Sequence, residues 1–559
     1  MGALLLPVLL ETLDYTVVAT AQPHIASAFD ALSLQSYIGT AYLLPSTVFM
    51  PLFSSVADVF GRYPALQISL LFFLIGSAIS TGAINITMML LGRGIAGVGA
   101  AGILTVVRTI LSDSGSLDDN NRQTSILFLL YATGFTVGPL VGGYLVDISF
   151  RWIFAINLPV TVASIILGFL LLRGKVKEAQ PPHWLVEPHT MRETLPQKLL
   201  RIDWIGTLLF VVGGISILLA LNWGSVESWS STKVIVCWIL GPLSIIGCLL
   251  WEYFLENQLR RTAPSCHGVL SCQPMLPLEI FRSYDVCAVL YGSFTSGMVM
   301  IVVFYFVSIF MTIVAGYSPA DAGMQLVYFA PGMGAGTLIS IQMISKLRQP
   351  KYPIILGSVI LPVSLGLIEW AMGNNNQTQV NGFLVFAGSG VGLTAGSLAI
   401  HARFSLPSNR VAVVNAMTLF FRSLGGTVGL AQCSAVLNFK VDKYLEHQLA
   451  LAGLDPSTLD SNNASQLMKS IQSLSDLPPV VQIAIRDAYR YAVQWSFISL
   501  VPWAGLSFFI VLFLSKVTDQ DMQREEEGAR SVGEAYQLEV MRDHGVVREA
   551  DEKAGLGWE

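Results

Sequence analysis

Along almost its whole length the chain alternates apolar stretches of about twenty residues with short polar breaks. That rhythm restricts its fold more than any other feature. A helix rises about 1.5 Å per residue, so about twenty apolar residues cross the roughly 30 Å hydrocarbon layer of a bilayer. Such stretches fall at 2–22, 38–56, 66–84, 87–110, 123–146, 153–172, 204–222, 233–254, 286–310, 323–344, 353–371, 381–401, 411–437 and 491–515, which makes fourteen. Composition agrees: of 559 residues only 12% are Asp, Glu, Lys or Arg, about half the share of a soluble domain. Lipid offers no hydrogen-bond partner to a backbone, so apolar runs this long form helices. The expected class is an all-α integral membrane protein, with the bilayer as its first partner.

Other classes find no support. The net charge of −5 offers no basis for nucleic-acid binding. Seven histidines show no metal spacing, no phosphate-binding loop follows a strand, and no Ser/His/Asp set suggests hydrolysis. Gly332-Met-Gly334-Ala-Gly336 lies inside a span and reads as a packing stripe. No cofactor, metal site or enzymatic activity is therefore expected. Six cysteines form no disulfide framework, and Cys266 and Cys272 read as free thiols on a cytoplasmic loop. The first apolar run carries Glu11 and Asp14 and leads straight into another span, unlike a cleavable signal peptide.

Orientation follows from the positive-inside bias. With the N-terminus inside, sixteen Lys and Arg fall in inner loops, whereas the short outer loops carry only Arg151 and Lys233. Both termini are then cytoplasmic. The sequons at Asn85, Asn376 and Asn463 fall outside, and Asn463 lies in a long polar outer segment, 438–490, with room for a glycan. The other two sit in tight turns close to the bilayer. The layout divides into a first six-span bundle (1–172), a basic cytoplasmic linker (173–203), two additional spans (204–254) and a cytoplasmic loop (255–285). A second six-span bundle (286–515) and a disordered cytoplasmic tail (516–559) follow.

Four segments go beyond hydropathy. The turn after span 2 reads Asp58-Val-Phe-Gly61-Arg62, where glycine permits a positive φ and the guanidinium can reach a neighbouring helix. Span 4 reads Arg93-Gly-Ile-Ala-Gly97-Val-Gly99 and closes on Asp113. Span 5 carries Gly134, Gly138, Pro139, Gly142 and Gly143. Span 1 carries Leu13-Asp14-Tyr-Thr-Val-Val-Ala-Thr-Ala-Gln-Pro23. Together with Arg151-Trp-Ile-Phe-Ala-Ile-Asn157-Leu-Pro159, Asp203-Trp-Ile-Gly206 and Phe421-Arg422-Ser-Leu-Gly-Gly426, these resemble the major facilitator superfamily, specifically its fungal fourteen-span drug:proton antiporter branch. Three positions depart from that pattern and bear on gating and proton roles: Ser54 stands for a leading glycine, Val59 for a basic residue, and Ala96 for a frequent glutamine. Relatives of this type also carry a polar tail ahead of span 1, so an earlier start than Met1 is one expectation.

The resemblance implies two six-helix bundles, two extra spans between them and a midplane cavity. It implies a proton-coupled secondary transporter that works as a single chain. Such a transporter exports amphipathic organic compounds such as drugs, toxins or secondary metabolites across the plasma or vacuolar membrane. The span 5 glycines and Pro139 are its antiporter signature. Asp58, Gly61, Arg62 and Asp113 form a charge cluster that holds the outward-open state. An acid inside a bilayer is costly and tends to face a cavity or a partner. Asp14 is thus the first candidate proton carrier and Glu11 the second, against a purely structural hydrogen bond. Arg93 is the natural counter-charge. Arg422 serves the second half, contacts an anionic substrate or simply packs. Arg108 and Glu369 are expected to snorkel from span ends. Tyr291, Phe294, Met298, Tyr305, Tyr328 and Phe329 are candidate cavity walls. The rival readings are a proton-coupled importer, for instance of siderophores, a membrane enzyme with a buried acid, and a sensor without transport.

Overall fold

A computed structural model describes residues 2–29, 35–113, 117–177, 194–226, 229–261, 272–317, 319–405, 411–451 and 479–517. Asn463, Cys266, the tail from 518 and most of the linker lie outside the described residues. Among those described, every regular element is helical, and extended pairing is limited to one isolated bridge, Ile202 with Gln273.

The first half comprises α1 (Gly2–Ser27), α2 (Gln35–Val48), α3 (Met50–Phe60), α4 (Arg62–Thr81), α5 (Ile86–Ser112), α6 (Leu117–Ile148), α7 (Phe150–Ala155) and α8 (Asn157–Leu172). A short α9 (Leu195–Arg201) leads into the pair α10 (Trp204–Val226) and α11 (Thr232–Arg261). The second half holds α12 (Tyr284–Ile309), α13 (Pro319–Leu326), α14 (Phe329–Leu347), α15 (Lys351–Gly373), α16 (Gln377–Phe404), α17 (Val411–Leu451) and α18 (Pro479–Leu512).

Among the described residues, eleven helices are long and apolar enough to cross a membrane, and twelve if the bent pair α2–α3 is one span. The long helices α1 and α6, of 26 and 32 residues, lie where the first and fifth spans are expected. The α2–α3 bend of 45° follows from Pro51 in the first turn of α3, which has no N–H to extend the ladder from α2. The polar segment 438–490 is shorter than expected as a loop, because α17 runs on to Leu451 and α18 begins at Pro479.

Buried clusters fill each half, and a third joins α2, α5 and α10 to α12, α16 and α17. The added helix α10 packs on its partner α11 and touches both α2 and α17, one from each half. Outward faces of α10, α11 and α18 display Leu208, Ile239, Leu243, Leu250 and Phe509 to the surroundings. In water a belt of this kind would aggregate, and in a bilayer it is the solvated surface.

Candidate functional site

Between the halves lies a cavity of about 140 Å³. Helices α1, α2, α5 and α6 form one wall, and α12 and α17 the other. The second wall is a helical stripe, Leu419, Arg422, Ser423, Gly426 and Thr427, whose three-and-four spacing puts all five on one face of α17. Glu11, Tyr15, Tyr42 and Tyr131 come from the first wall. Thr47 Oγ1 and Ser423 Oγ, 2.5 Å apart, join the two walls by a hydrogen bond.

Glu11 is 8% exposed, and its hydrogen bond comes from Thr12 Oγ1 at 3.5 Å. Among the described residues it forms no ion pair. Asp14, three residues on, turns away from the cavity into a closed arrangement. Arg93 Nη1 donates to its Oδ2 at 2.7 Å and Asn157 Nδ2 to its Oδ1 at 2.6 Å. The Asp14 and Arg93 side chains are 0% and 2% exposed, and the guanidinium lies 4.2 Å over the Tyr42 ring. Arg93 and Asp14 are thus brought together, and Asn157 is a partner that the sequence does not assign.

Arg108 does not snorkel. It is 4% exposed and turned inward, 5.9 Å over Phe128. Arg422 approaches the same ring at 5.4 Å and donates to the Met300 sulfur at 3.1 Å. The expected aromatic wall is also corrected. Met298 and Phe329 are packed in the core, Tyr291 and Phe294 lean on Trp503 of α18, Tyr328 is exposed, and Tyr305 is accessible one turn past the cavity-lining Ile301 and near Tyr15. Tyrosines of the first half line the cavity instead. Glu369, near the end of α15, accepts a hydrogen bond from Gln494.

At one end of the bundle the turn motif assembles. Gly61 has φ +95°, a conformation only glycine adopts freely. Arg62, 1% exposed, reaches Asp58 at 2.5 Å and Asp113 at 3.3 Å, and Lys177 adds a contact to Asp113 at 3.2 Å. At this same end hydrogen bonds cross between the halves. Arg403 Nε donates to the Ser112 carbonyl at 2.9 Å, and Asn121 Nδ2 to the Ile341 carbonyl at 3.1 Å.

In α6, Gly134 and Gly138 lie against α1, where an added Cβ would come within 2.5 Å of Thr12 Cγ2 and 1.8 Å of Thr16 Oγ1. Gly142 is buried, and the helix runs without a break through Pro139 and Gly143. Gly332 and Gly336 of α14 meet the backbone of α16 at Val385 and Ser389, as a packing stripe should. Asn85 and Asn376 are helix caps that accept from Met88 N and Gln379 N.

The sequence profile of the Major Facilitator Superfamily matches residues 4–430, and the chain belongs to that family. It is a multi-pass membrane transporter and not an enzyme. Among its relatives is Efflux pump FUS6 of Gibberella moniliformis, 29% identical, with the alignment covering 98% of this chain and 92% of that one. Another is the Acurin A biosynthesis cluster MFS-type transporter of Aspergillus aculeatus, 28% identical over 90% and 86% of the two chains. The fold is similar to that of the proton:xylose symporter XylE bound to 6-bromo-6-deoxy-D-glucose. There the TM-score is 0.54 at 12% identity, over 92% of this chain and 95% of that one.

Proposed function

We propose that this chain is a fourteen-span, proton-coupled exporter of amphipathic organic compounds, drugs or secondary metabolites among them, working as a single chain in the plasma membrane. The observation that carries the reading is a cavity between two helical halves with a carboxyl group, Glu11, in its wall. Relatives named efflux pump and biosynthesis-cluster transporter support the outward direction. A cavity of about 140 Å³ is smaller than the roughly 300–1,000 Å³ of a pocket for a drug-sized ligand. The halves must therefore part to admit cargo.

In this reading the Arg62 end is cytoplasmic, and the Arg62 cluster with the Arg403 and Asn121 bonds closes it. Breaking a few such contacts shifts a two-state equilibrium by a few kcal/mol, enough to exchange access. Glu11 is the proton carrier, because it borders the cavity and lacks an ionic partner. Asp14 and Arg93 form the fixed pair behind it, and the α6 glycines let α1 ride close to α6. Deleting the gene and measuring cell accumulation of a compound panel tests direction. Raised accumulation of at least one toxic amphiphile is expected, and lowered accumulation would establish import instead.

A further inference from the structure

The charges around the cavity do not balance. Arg93 has Asp14, whereas Arg108 and Arg422 have no carboxylate within ion-pair distance among the described residues. Arg108 is 4% exposed, and among the described residues its buried Nε has no hydrogen-bond partner. Arg422 has only a thioether sulfur, a weak acceptor. Both guanidiniums lie against Phe128, at 5.9 and 5.4 Å. Arginine keeps its proton in proteins, so these charges cannot be relieved by titration. Arg108 is held out of water without a counter-ion, among the least favourable arrangements a protein can keep, and Arg422 is half-buried at the cavity wall. Glu11, the one cavity-lining acid among the described residues, offsets at most one of the two.

We infer that Arg422 and Arg108 form an anion subsite, and that the cargo carries a carboxylate or comparable acidic group on an apolar body. Arg422 borders the cavity and makes the direct contact. Arg108, at the same ring, supplies a second positive charge. Tyr131, on the helix of Phe128 and in the cavity wall, offers a hydroxyl beside them. The apolar part rests on Met50, Leu104 and Ile301. This deepens the transport reading and rests on it for the claim that the bound anion is cargo. An inside-negative voltage drives such an anion outward. A proton on Glu11 adds positive charge to the same cavity and does not repel the anion, so exchange of the two rests on the gate between the halves.

The test is binding to the purified full chain in detergent, by titration calorimetry without any gradient. The probes are matched naphthalenes: 1-naphthaleneacetate, 1-naphthaleneacetamide and (1-naphthylmethyl)trimethylammonium. The wild type is expected to bind the anion about tenfold or more tighter than the amide, with the cation weakest. Arg422→Gln should weaken anion binding by about 10- to 100-fold, the size of a hydrogen bond to a charged group, with the amide unchanged. Arg422→Lys should restore part of it, and Arg108→Gln should reduce the anion preference less than Arg422→Gln does. An anion that binds no tighter than the amide, or an Arg422→Gln loss shared equally by both, would overturn the subsite. Anion preference without proton-driven transport would instead count against the transport reading alone.

Discussion

Removing one member of the Asp14–Arg93 pair should destabilise the protein far more than removing both charges. The pair is 2.7 Å apart with both side chains essentially dry. Asp14→Asn leaves Arg93 charged in a site that already holds its Nε without a partner. Arg93→Gln strips the dry Asp14 carboxyl of its counter-charge, with Asn157 as its remaining donor. An uncompensated buried charge costs about 3–5 kcal/mol, whereas replacing a whole buried pair by neutral groups is often near neutral. Neutral interhelical hydrogen bonds in membrane proteins average only about 0.6 kcal/mol, so charge decides the outcome. Each single variant should therefore lose about 3 kcal/mol or more. The double variant Asp14→Asn/Arg93→Gln should lose about 1 kcal/mol, a coupling of about 5 kcal/mol that exceeds the usual range for neighbouring residues. Reversible denaturation in mixed micelles, followed by tryptophan fluorescence, measures all three. Single losses that simply add in the double variant would refute the reasoning.

Two further outcomes follow from packing and from the gate. Gly332→Ala places a methyl 1.9 Å from the Val385 carbonyl oxygen and should cost about 1–3 kcal/mol. Gly334→Ala, with its nearest neighbour at 3.8 Å, should be tolerated in the same denaturation assay. Arg403→Gln removes the bond to Ser112 across the halves. In right-side-out and inverted vesicles it should raise labelling of a Ser46→Cys probe from the Arg62 end several-fold, and unchanged labelling would exclude Arg403 from the gate.

Much of the architecture was legible because it is written in length and period. Twenty-residue apolar runs locate the helices, and Asp58, Gly61 and Arg62 can be read as one turn, whereas Asp113, 51 residues on, joins them only through the family resemblance. What was not legible is which way a side chain points once a helix is surrounded by others. Arg108 sits four residues before the end of α5, where hydropathy allows either snorkelling or burial, and only packing against Phe128 on α6 decides it. The aromatic wall was sought in the second half, yet Tyr15 lies one helical turn from Glu11 and shares its face. That spacing was readable, as was the stripe from Leu419 to Thr427. Asp14 and Glu11 are three residues apart, and that rotation about α1 separates a closed ion pair from a cavity wall. Asn157 could be read only as part of a motif, because its partner lies 143 residues away in sequence.

The assignment of Glu11 as the proton carrier is tested most directly in proteoliposomes, with a compound whose cell accumulation rises on gene deletion. Wild-type protein should drive its movement at least about tenfold faster under an imposed pH gradient than without one. Glu11→Gln should still exchange labelled for unlabelled compound but lose all dependence on the gradient. Gradient-driven transport that survives in Glu11→Gln, and is lost instead in the charge-neutral Asp14→Asn/Arg93→Gln variant, would contradict the account and move the proton to Asp14.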